Sequence, residues 1–126
     1  MNLFVCYPRC STCQKAQKWL KEKEIEIQVR DIRTDNPTVE ELKEWHGKSG
    51  LELKSFFNTS GNLYKELHLR EKLPVMTDEE KYELLSTDGM LVKRPILVTE
   101  DKVLVGFKEK EWEENWDFRI DTNLCR

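Results

Sequence analysis

The sequence predicts an α/β fold in which a βαβ unit, a block of helices and a ββα unit follow one another. Three observations support this order. An apolar run at residues 2–6 precedes an amphipathic helical pattern and then an alternating segment. Helical patterns fill residues 37–90, and two short apolar runs joined by Glu100-Asp101 follow them. A crossover helix makes the first two strands parallel and a tight turn makes the last two antiparallel, so we expect a four-stranded mixed sheet.

Each element of the first unit has its own signal. The apolar run NLFVC at residues 2–6 stops at YPR, which is typical of a buried strand. Cys13, Ala16 and Leu20 recur at three- and four-residue spacing, which predicts an amphipathic helix over residues 11–23. The next segment, IEIQVRDI, alternates apolar and polar residues, so we expect a second strand there.

The helical block carries start and stop signals. Thr38 with Glu41 three residues later matches a capping box, and Gly47 or Gly50 can end that helix. Short helices on both sides of Gly61 are expected to follow. The last helix of the block has its cap at Thr77 or Asp78 and its terminator at Gly89.

The closing unit is shorter. Residues 95–99 and 102–107 are predicted as the two strands of a hairpin. KEKEWEENW then predicts a final helix, and residues 118–126 are predicted to form a C-terminal tail.

The composition of the chain argues against several classes of protein. The 126 residues are 38% apolar and 36% charged, with a net charge of −3 and both signs interspersed. No basic stripe predicts nucleic-acid binding, and no polybasic or long apolar segment predicts membrane association. The N-terminus lacks the pattern of a secretion signal, so we expect a cytoplasmic protein. In that reducing compartment four cysteines indicate chemistry or metal binding rather than structural disulfides.

Three cysteines, Cys6, Cys10 and Cys13, fall within eight residues and allow three interpretations. The spacing resembles the cluster-binding cysteines of radical SAM enzymes, and Cys125 could add a fourth thiolate to a metal site. Alternatively, Cys10 and Cys13 form a CxxC redox pair after the first strand. The third interpretation is that all three are inert buried residues.

Position along the predicted elements favours the redox pair. Cys10 lies at the turn from strand to helix, where free N–H groups and the positive helix end favour a thiolate. Cys13 lies in the first helical turn and can close a small disulfide ring with Cys10. Cys6 lies within the first strand, where we expect it to stay buried and unreactive. No metal is therefore expected at this site.

Three segments, CYPRCSTCQKAQKWL, LKSFFNTSGNLYKEL and LLSTDGMLVKRPILVTEDKVLVGFKEKEW, resemble the ArsC/Spx family of glutaredoxin-like proteins. The likeness runs through nearly the whole chain to about Trp116, with the motifs in order. It implies a thioredoxin-like fold, βαβ–helical insertion–ββα, for a single domain at residues 1–117. The helical insertion would then occupy about residues 37–90.

The resemblance also implies a set of site residues. Cys10 matches the catalytic cysteine of the family, and Cys13 matches the second, resolving cysteine of its CxxC branches. Arg94-Pro95 matches an Arg-Pro pair whose proline is cis and packs against the cysteine loop. Arg94 would stabilise a thiolate or hold an oxyanion. Three further residues, Ser11, Thr12 and Asn58, are expected to shape the site.

The sequence departs from two branches of this family, the arsenate reductases and the Spx regulators. Arsenate reductases of the family grip their anion with three arginines, whereas this chain has Asn58 and Gly106 at two of those positions. Spx regulators, which bind the RNA polymerase α-subunit, continue into a basic tail, whereas this sequence ends in DFRIDTNLCR. We therefore expect a thiol-disulfide oxidoreductase of the reductase-like branch.

We expect this enzyme to bind no cofactor and to use an external thiol such as glutathione or thioredoxin as co-substrate. A small thiol or a redox protein would be its partner. A genuine arsenate reductase and an Spx-like redox regulator that binds the RNA polymerase α-subunit remain the alternatives.

Overall fold

A four-stranded sheet in the order β2-β1-β3-β4 forms the centre of the computed structural model, which describes residues 2–115. Its strands are β1 (Asn2–Cys6), β2 (Ile27–Asp31), β3 (Ile96–Val98) and β4 (Val103–Val105). β1 pairs in parallel with β2 and antiparallel with β3, and β3 pairs antiparallel with β4. The predicted mixed sheet is confirmed. The predicted tail at residues 118–126 with its Cys125, and residues 116–117 of the predicted domain, lie outside the described residues.

The other regular elements of residues 2–115 are helical. The α-helices are α1 (Ser11–Glu22), α2 (Val39–Ser49), α3 (Asn62–Glu66), α4 (Leu69–Lys72), α5 (Asp78–Leu85) and α6 (Glu109–Asn115). Single 3₁₀ turns occupy Leu53–Phe56, Leu73–Val75 and Gly89–Leu91. None of the helices among residues 2–115 combines the length and the apolar character that crossing a membrane requires.

The predicted caps of the insertion are present. Thr38 and Glu41 form a capping box at the start of α2, and Thr77 forms one with Glu80 at the start of α5. In each box the threonine hydroxyl accepts a hydrogen bond from the glutamate amide, and the glutamate carboxylate accepts one from the threonine amide. These reciprocal bonds satisfy amides that a helix start leaves without partners.

The glycine signals are confirmed for the end of α2 and wrong for the end of α5. Gly50, not Gly47, ends α2, because it has the left-handed conformation with φ +70° while Gly47 lies inside the helix. α5 ends at Leu85, and Gly89 instead begins the 3₁₀ turn that follows. β1 has the predicted bounds, whereas β2, β3 and β4 are shorter than predicted. Before β2, the amide of Ile25 still donates to the carbonyl of Leu20 at 3.0 Å, so pairing starts only at Ile27.

The sheet separates two apolar cores. Val5 and Ile96 face the insertion and pack with Trp45, Phe56 and other buried residues. Phe4, Cys6 and Leu97 face the opposite way and pack with α1 and α6. This division follows from the alternation of side chains along each strand. It puts Cys6 on the same face of the sheet as the helix that carries Cys13.

Two glycines offer a matched test of this packing. A methyl group at Gly89 would collide with the carbonyl oxygen of Ile32 and lie 2.8 Å from Oδ1 of Asn36, whereas one at Gly47 would meet nothing within 4 Å. Gly89→Ala should therefore lower the free energy of unfolding by about 1–3 kcal/mol. Gly47→Ala should raise it by up to about 1 kcal/mol through better helix propensity. Urea unfolding followed by circular dichroism measures both, and equal effects would contradict the close approach at Gly89.

Candidate active site

The turn between β1 and α1 holds Cys10 at the start of the helix. Its amide donates to the carbonyl of Tyr7 at 2.9 Å, and its own carbonyl accepts from the amide of Gln14 at 3.0 Å. Cys10 is thus the N-cap of α1, with an extended backbone (φ −80°, ψ 123°) and no capping bond from its side chain. Its half-buried thiol lies beside the free N–H groups of the first turn. This is the placement that the sequence predicted.

Cys13 lies one turn further along α1 and only 1% of it is exposed. The amide of Tyr7 donates to its Sγ at 3.3 Å. The thiol of Cys13 in turn donates to the sulfur of Cys6, and this bond together with burial raises the pKa of Cys13 well above its usual range. Cys13 is therefore a protonated thiol at neutral pH, shielded from solvent behind Cys10.

Cys6 ends β1 and is also only 1% exposed. Accepting the hydrogen bond from Cys13 lowers the pKa of Cys6, against the opposing effects of burial and of the nearby carboxylate of Asp31. The sequence predicted its burial in the strand. It did not predict the contact with Cys13, which joins residues on two different elements.

Arg94 reaches the cysteine loop from the start of β3. The Arg94–Pro95 peptide bond is cis, as the family resemblance implied, and Pro95 is buried. The guanidinium carbon of Arg94 lies 5.5 Å from the ring centre of Tyr7, and Nη1 donates to the carbonyl of Val92 at 3.4 Å. Its Nε is buried with no hydrogen-bond partner. Within residues 2–115 no carboxylate forms an ion pair with Arg94, so its charge is available to an anionic ligand.

The insertion contributes Asn58 by pairing with the segment before Arg94. Phe57 and Val92 form an antiparallel bridge. The amide of Lys93 donates to Phe56 at 2.8 Å, and the amide of Asn58 donates to Leu91 at 2.7 Å. Asn58 is half-buried and its side-chain amide points to the carbonyl of Met90 at 3.5 Å. These backbone hydrogen bonds hold the FFN motif, residues 56–58, at the opening of the cysteine site.

These elements enclose a cavity of about 660 Å³. Of the predicted site residues, Cys10, Thr12, Asn58 and Arg94 line it, whereas Cys13 and Pro95 are buried away from its wall and Ser11 is exposed outside it. Four of its lining residues are cationic and two are acidic: Lys54, Lys93, Arg94, Lys108, Glu52 and Glu111. The lining therefore carries an excess of two positive charges, which favours an anionic ligand.

Sequence reasoning did not single out Lys54 and Lys108 for this cavity. Both are exposed residues in charged segments, and no local pattern distinguishes them from other surface lysines. Only the pairing of the insertion with the Val92 segment, and the position of α6, bring them beside Cys10.

Gly106 closes one side of the cavity without a side chain. Its φ of +73° favours glycine, and a methyl group there would lie 3.0 Å from Cε of Lys93. Its amide donates to the carbonyl of Pro95 at 2.8 Å, and its carbonyl accepts from Nε1 of Trp112 at 2.9 Å. The backbone geometry therefore disfavours an arginine at this position.

The structure also bears on the metal-binding interpretation of the cysteines, for the residues that it describes. Residues 2–115 contain no group of three or more His, Cys, Asp or Glu side chains placed to hold a metal ion.

Relatives of known sequence span nearly the whole chain. Bacillus subtilis YusI is 55% identical over 90% of this chain and 96% of its own length. The regulatory protein MgsR of Bacillus subtilis is 34% identical, over 86% of this chain and 84% of its own. The global transcriptional regulator Spx 1 of Bacillus cereus is 30% identical, over 82% and 78%.

Solved structures agree with this relationship. An ArsC family related protein from Bacteroides fragilis superposes with a TM-score of 0.87 at 64% identity, covering 90% of this chain and 95% of its own. An arsenate reductase from Vibrio cholerae superposes with a TM-score of 0.80 at 26% identity, covering 90% and 95%. The predicted thioredoxin-like fold with a helical insertion is confirmed. The model of the ArsC family matches residues 6–115, and the chain belongs to that family.

Proposed function

We propose that this protein is a thiol-disulfide oxidoreductase in which Cys10 attacks and Cys13 resolves. The observation that carries the proposal is the arrangement of the CxxC pair. Cys10 caps α1 and opens onto the charged cavity, while Cys13 is buried one helical turn behind it. An accessible thiol followed by a shielded one is the arrangement that a two-step exchange requires.

The reaction divides into two displacements. The Cys10 thiolate attacks one sulfur of a substrate disulfide, forms a mixed disulfide and releases the other half as a thiolate, which takes up a proton. Cys13 loses its proton and attacks the sulfur of Cys10, which releases the second substrate thiol and leaves the Cys10–Cys13 disulfide. Two equivalents of an external thiol then reduce that disulfide and restore both thiols.

The cavity lining supports an anionic substrate. Arg94 has no carboxylate partner within residues 2–115, and Lys54 and Lys108 lie around the same opening. Disulfides of glutathione and of other small thiols that carry carboxylates fit this charge as substrates, and a different external thiol, such as thioredoxin, would reduce the Cys10–Cys13 disulfide. Such reductants are maintained in the cytoplasm, where we propose that the protein acts without a bound cofactor.

Substitution of each CxxC cysteine should separate the two displacements. Cys10→Ser should abolish exchange with glutathione disulfide, because the accessible nucleophile is lost. Cys13→Ser should instead accumulate one glutathione per chain on Cys10, detected by intact mass spectrometry. Lys18→Ala, an exposed change on α1, is the matched control. Exchange at the wild-type rate in Cys10→Ser would refute the assignment.

The raised pKa of Cys13 sets the pH dependence of the second displacement. Only the thiolate attacks, so release of the second glutathione should accelerate about tenfold per pH unit throughout the range below that pKa. Stopped-flow detection of thiol release between about pH 6 and about pH 9 resolves this phase, and release of the first glutathione is the internal comparison. A second phase independent of pH would show that Cys13 is already ionised.

Arg94 should contribute to substrate binding through its charge. Arg94→Met keeps most of the side-chain volume but removes a charged hydrogen bond worth about 1.5–3 kcal/mol. We expect kcat/KM for glutathione disulfide to fall by about ten- to a hundredfold. Arg33→Met, at an exposed arginine away from this cavity, is the matched control and should leave kcat/KM unchanged. Equal kinetics in the two variants would remove Arg94 from the site.

Arsenate should be a poor substrate for this chain. Asn58 and Gly106 leave the anion with one arginine where the arsenate-reducing branch has three, and each missing charged bond costs about 1.5–3 kcal/mol. With the same thiol donor, turnover of arsenate should be several powers of ten slower than turnover of glutathione disulfide. Comparable turnover of the two substrates would favour a genuine arsenate reductase, with Lys93 and Asn58 replacing the missing arginines.

A redox-sensing regulator of transcription is the second candidate. It is supported by the 34% and 30% identity to MgsR and Spx 1, both of which are named as regulators. In that role the Cys10–Cys13 disulfide would switch binding to the RNA polymerase α-subunit. Specific, redox-dependent capture of the purified α-subunit would favour this candidate over the enzyme.

A further inference from the structure

Cys6 is a buried nucleophile that the two-cysteine reaction does not use. Side chains alternate along β1, so Cys6 and Phe4 face α1 while Val5 faces the insertion. The Sγ of Cys13 lies 3.3 Å from the amide nitrogen of Tyr7, the residue that follows Cys6. The helix therefore presents Cys13 directly against the end of the strand, in the same apolar cluster as Cys6.

Cys13 lies between two other thiols. Cys6 and Cys13 are members of one buried cluster and Cys10 packs against it, and interactions with both Cys6 and Cys10 affect the pKa of Cys13. Cys10, at the cavity end, is half-buried, whereas only 1% of Cys6 and 1% of Cys13 is exposed. Closing a disulfide needs two sulfurs that can approach to about 2.05 Å, and both Cys6 and Cys10 pack in the cluster that contains Cys13.

We propose that Cys6 is a third redox-active thiol, which takes the disulfide over from Cys10. The Cys6 sulfur attacks the Cys13 sulfur of the Cys10–Cys13 disulfide, the Cys6–Cys13 bond forms, and Cys10 leaves as a thiolate. The proton of Cys6 passes to Cys10, and no electrons are gained or lost within the chain. The step rests on the proposed function, because the substrate disulfide supplies the initial oxidation.

Two features of the site favour the transfer. The leaving sulfur, Cys10, departs from the N-cap of α1, at the half-buried position that lines the cavity. The attacking sulfur, Cys6, already lies in the same buried cluster as Cys13 in the reduced protein. This inference replaces the expectation that Cys6 is inert.

Transfer of the disulfide from Cys10–Cys13 to Cys6–Cys13, called the relay from here on, changes the stoichiometry of oxidation. After the transfer Cys10 is again a free thiol at the cavity, while the oxidation is held in the core. Cys10 can then attack a second substrate disulfide, and no internal thiol remains to resolve the product. Excess glutathione disulfide should therefore give a chain with one internal disulfide and one glutathione on Cys10.

Tryptic mapping of the full-length wild-type protein tests the relay directly, because Arg9 separates Cys6 from the CxxC pair. The reduced protein is treated with excess glutathione disulfide, quenched in acid, alkylated and digested. A Cys6–Cys13 disulfide joins peptide 1–9 to peptide 10–15, whereas a Cys10–Cys13 disulfide stays within peptide 10–15. We expect the joined peptides, with fragmentation placing glutathione on Cys10.

Two variants separate the relay from other routes to the same disulfide. Cys6→Ala should lose the joined peptides completely and retain the Cys10–Cys13 disulfide. Cys10→Ser should form the joined peptides far more slowly than wild type, because both partners are buried and the oxidant then has no accessible thiol to attack. Joined peptides that form equally fast in Cys10→Ser would overturn the relay.

The remaining outcomes distinguish this inference from the proposed function. A Cys10–Cys13 disulfide with no joined peptides in wild-type protein overturns the relay and leaves the two-cysteine enzyme intact. Absence of both the Cys10 adduct and any disulfide overturns the proposed function and the relay together. The wild-type measurement depends on no substitution, so a variant that fails to fold does not affect it.

Discussion

The antiparallel pairing of β1 with β3 is the constraint on which the site depends. Its register, with Val5 opposite Ile96, sets the end of the first strand beside the start of the third. The chain leaves β1 into the cysteine turn and enters β3 from Arg94-Pro95, so this pairing makes the thiols and the guanidinium neighbours. Residues that are more than eighty positions apart in sequence meet for this reason.

The helical insertion is joined to the segment before β3 by backbone hydrogen bonds. Its contact with the segment before β3 is the Phe57–Val92 bridge and the amide bonds on either side of it. Such bonds impose no sequence requirement on the side chains that they position, so the identity of residue 58 can vary while its location stays fixed. A family that shares this frame can thus change the chemistry of the cavity by exchanging side chains, and Asn58 is the version found here.

The features that the sequence predicted correctly have local causes. The order of elements follows from apolar periodicity, the starts of α2 and α5 from Thr38 and Thr77, and the place of Cys10 from the end of an apolar run. Features that arise from tertiary contact were not predictable. The choice of Gly50 over Gly47 depends on which residue adopts positive φ, and the cationic cavity depends on how separate segments meet. The cis Arg94–Pro95 bond was anticipated only through the family resemblance.

Trp19 lies in the same buried cluster as Cys6 and Cys13, and it stacks edge-on against Trp112 with ring centres 5.8 Å apart. Phe107 completes this aromatic group, at 6.2 Å from Trp19 and 4.9 Å from Trp112. Sulfur is polarizable and interacts directly with aromatic rings, so conversion of neighbouring thiols to a disulfide alters the surroundings of these indoles. Formation of the proposed Cys6–Cys13 disulfide would therefore change the intrinsic fluorescence of the protein, which would provide an optical measure of its sulfur chemistry.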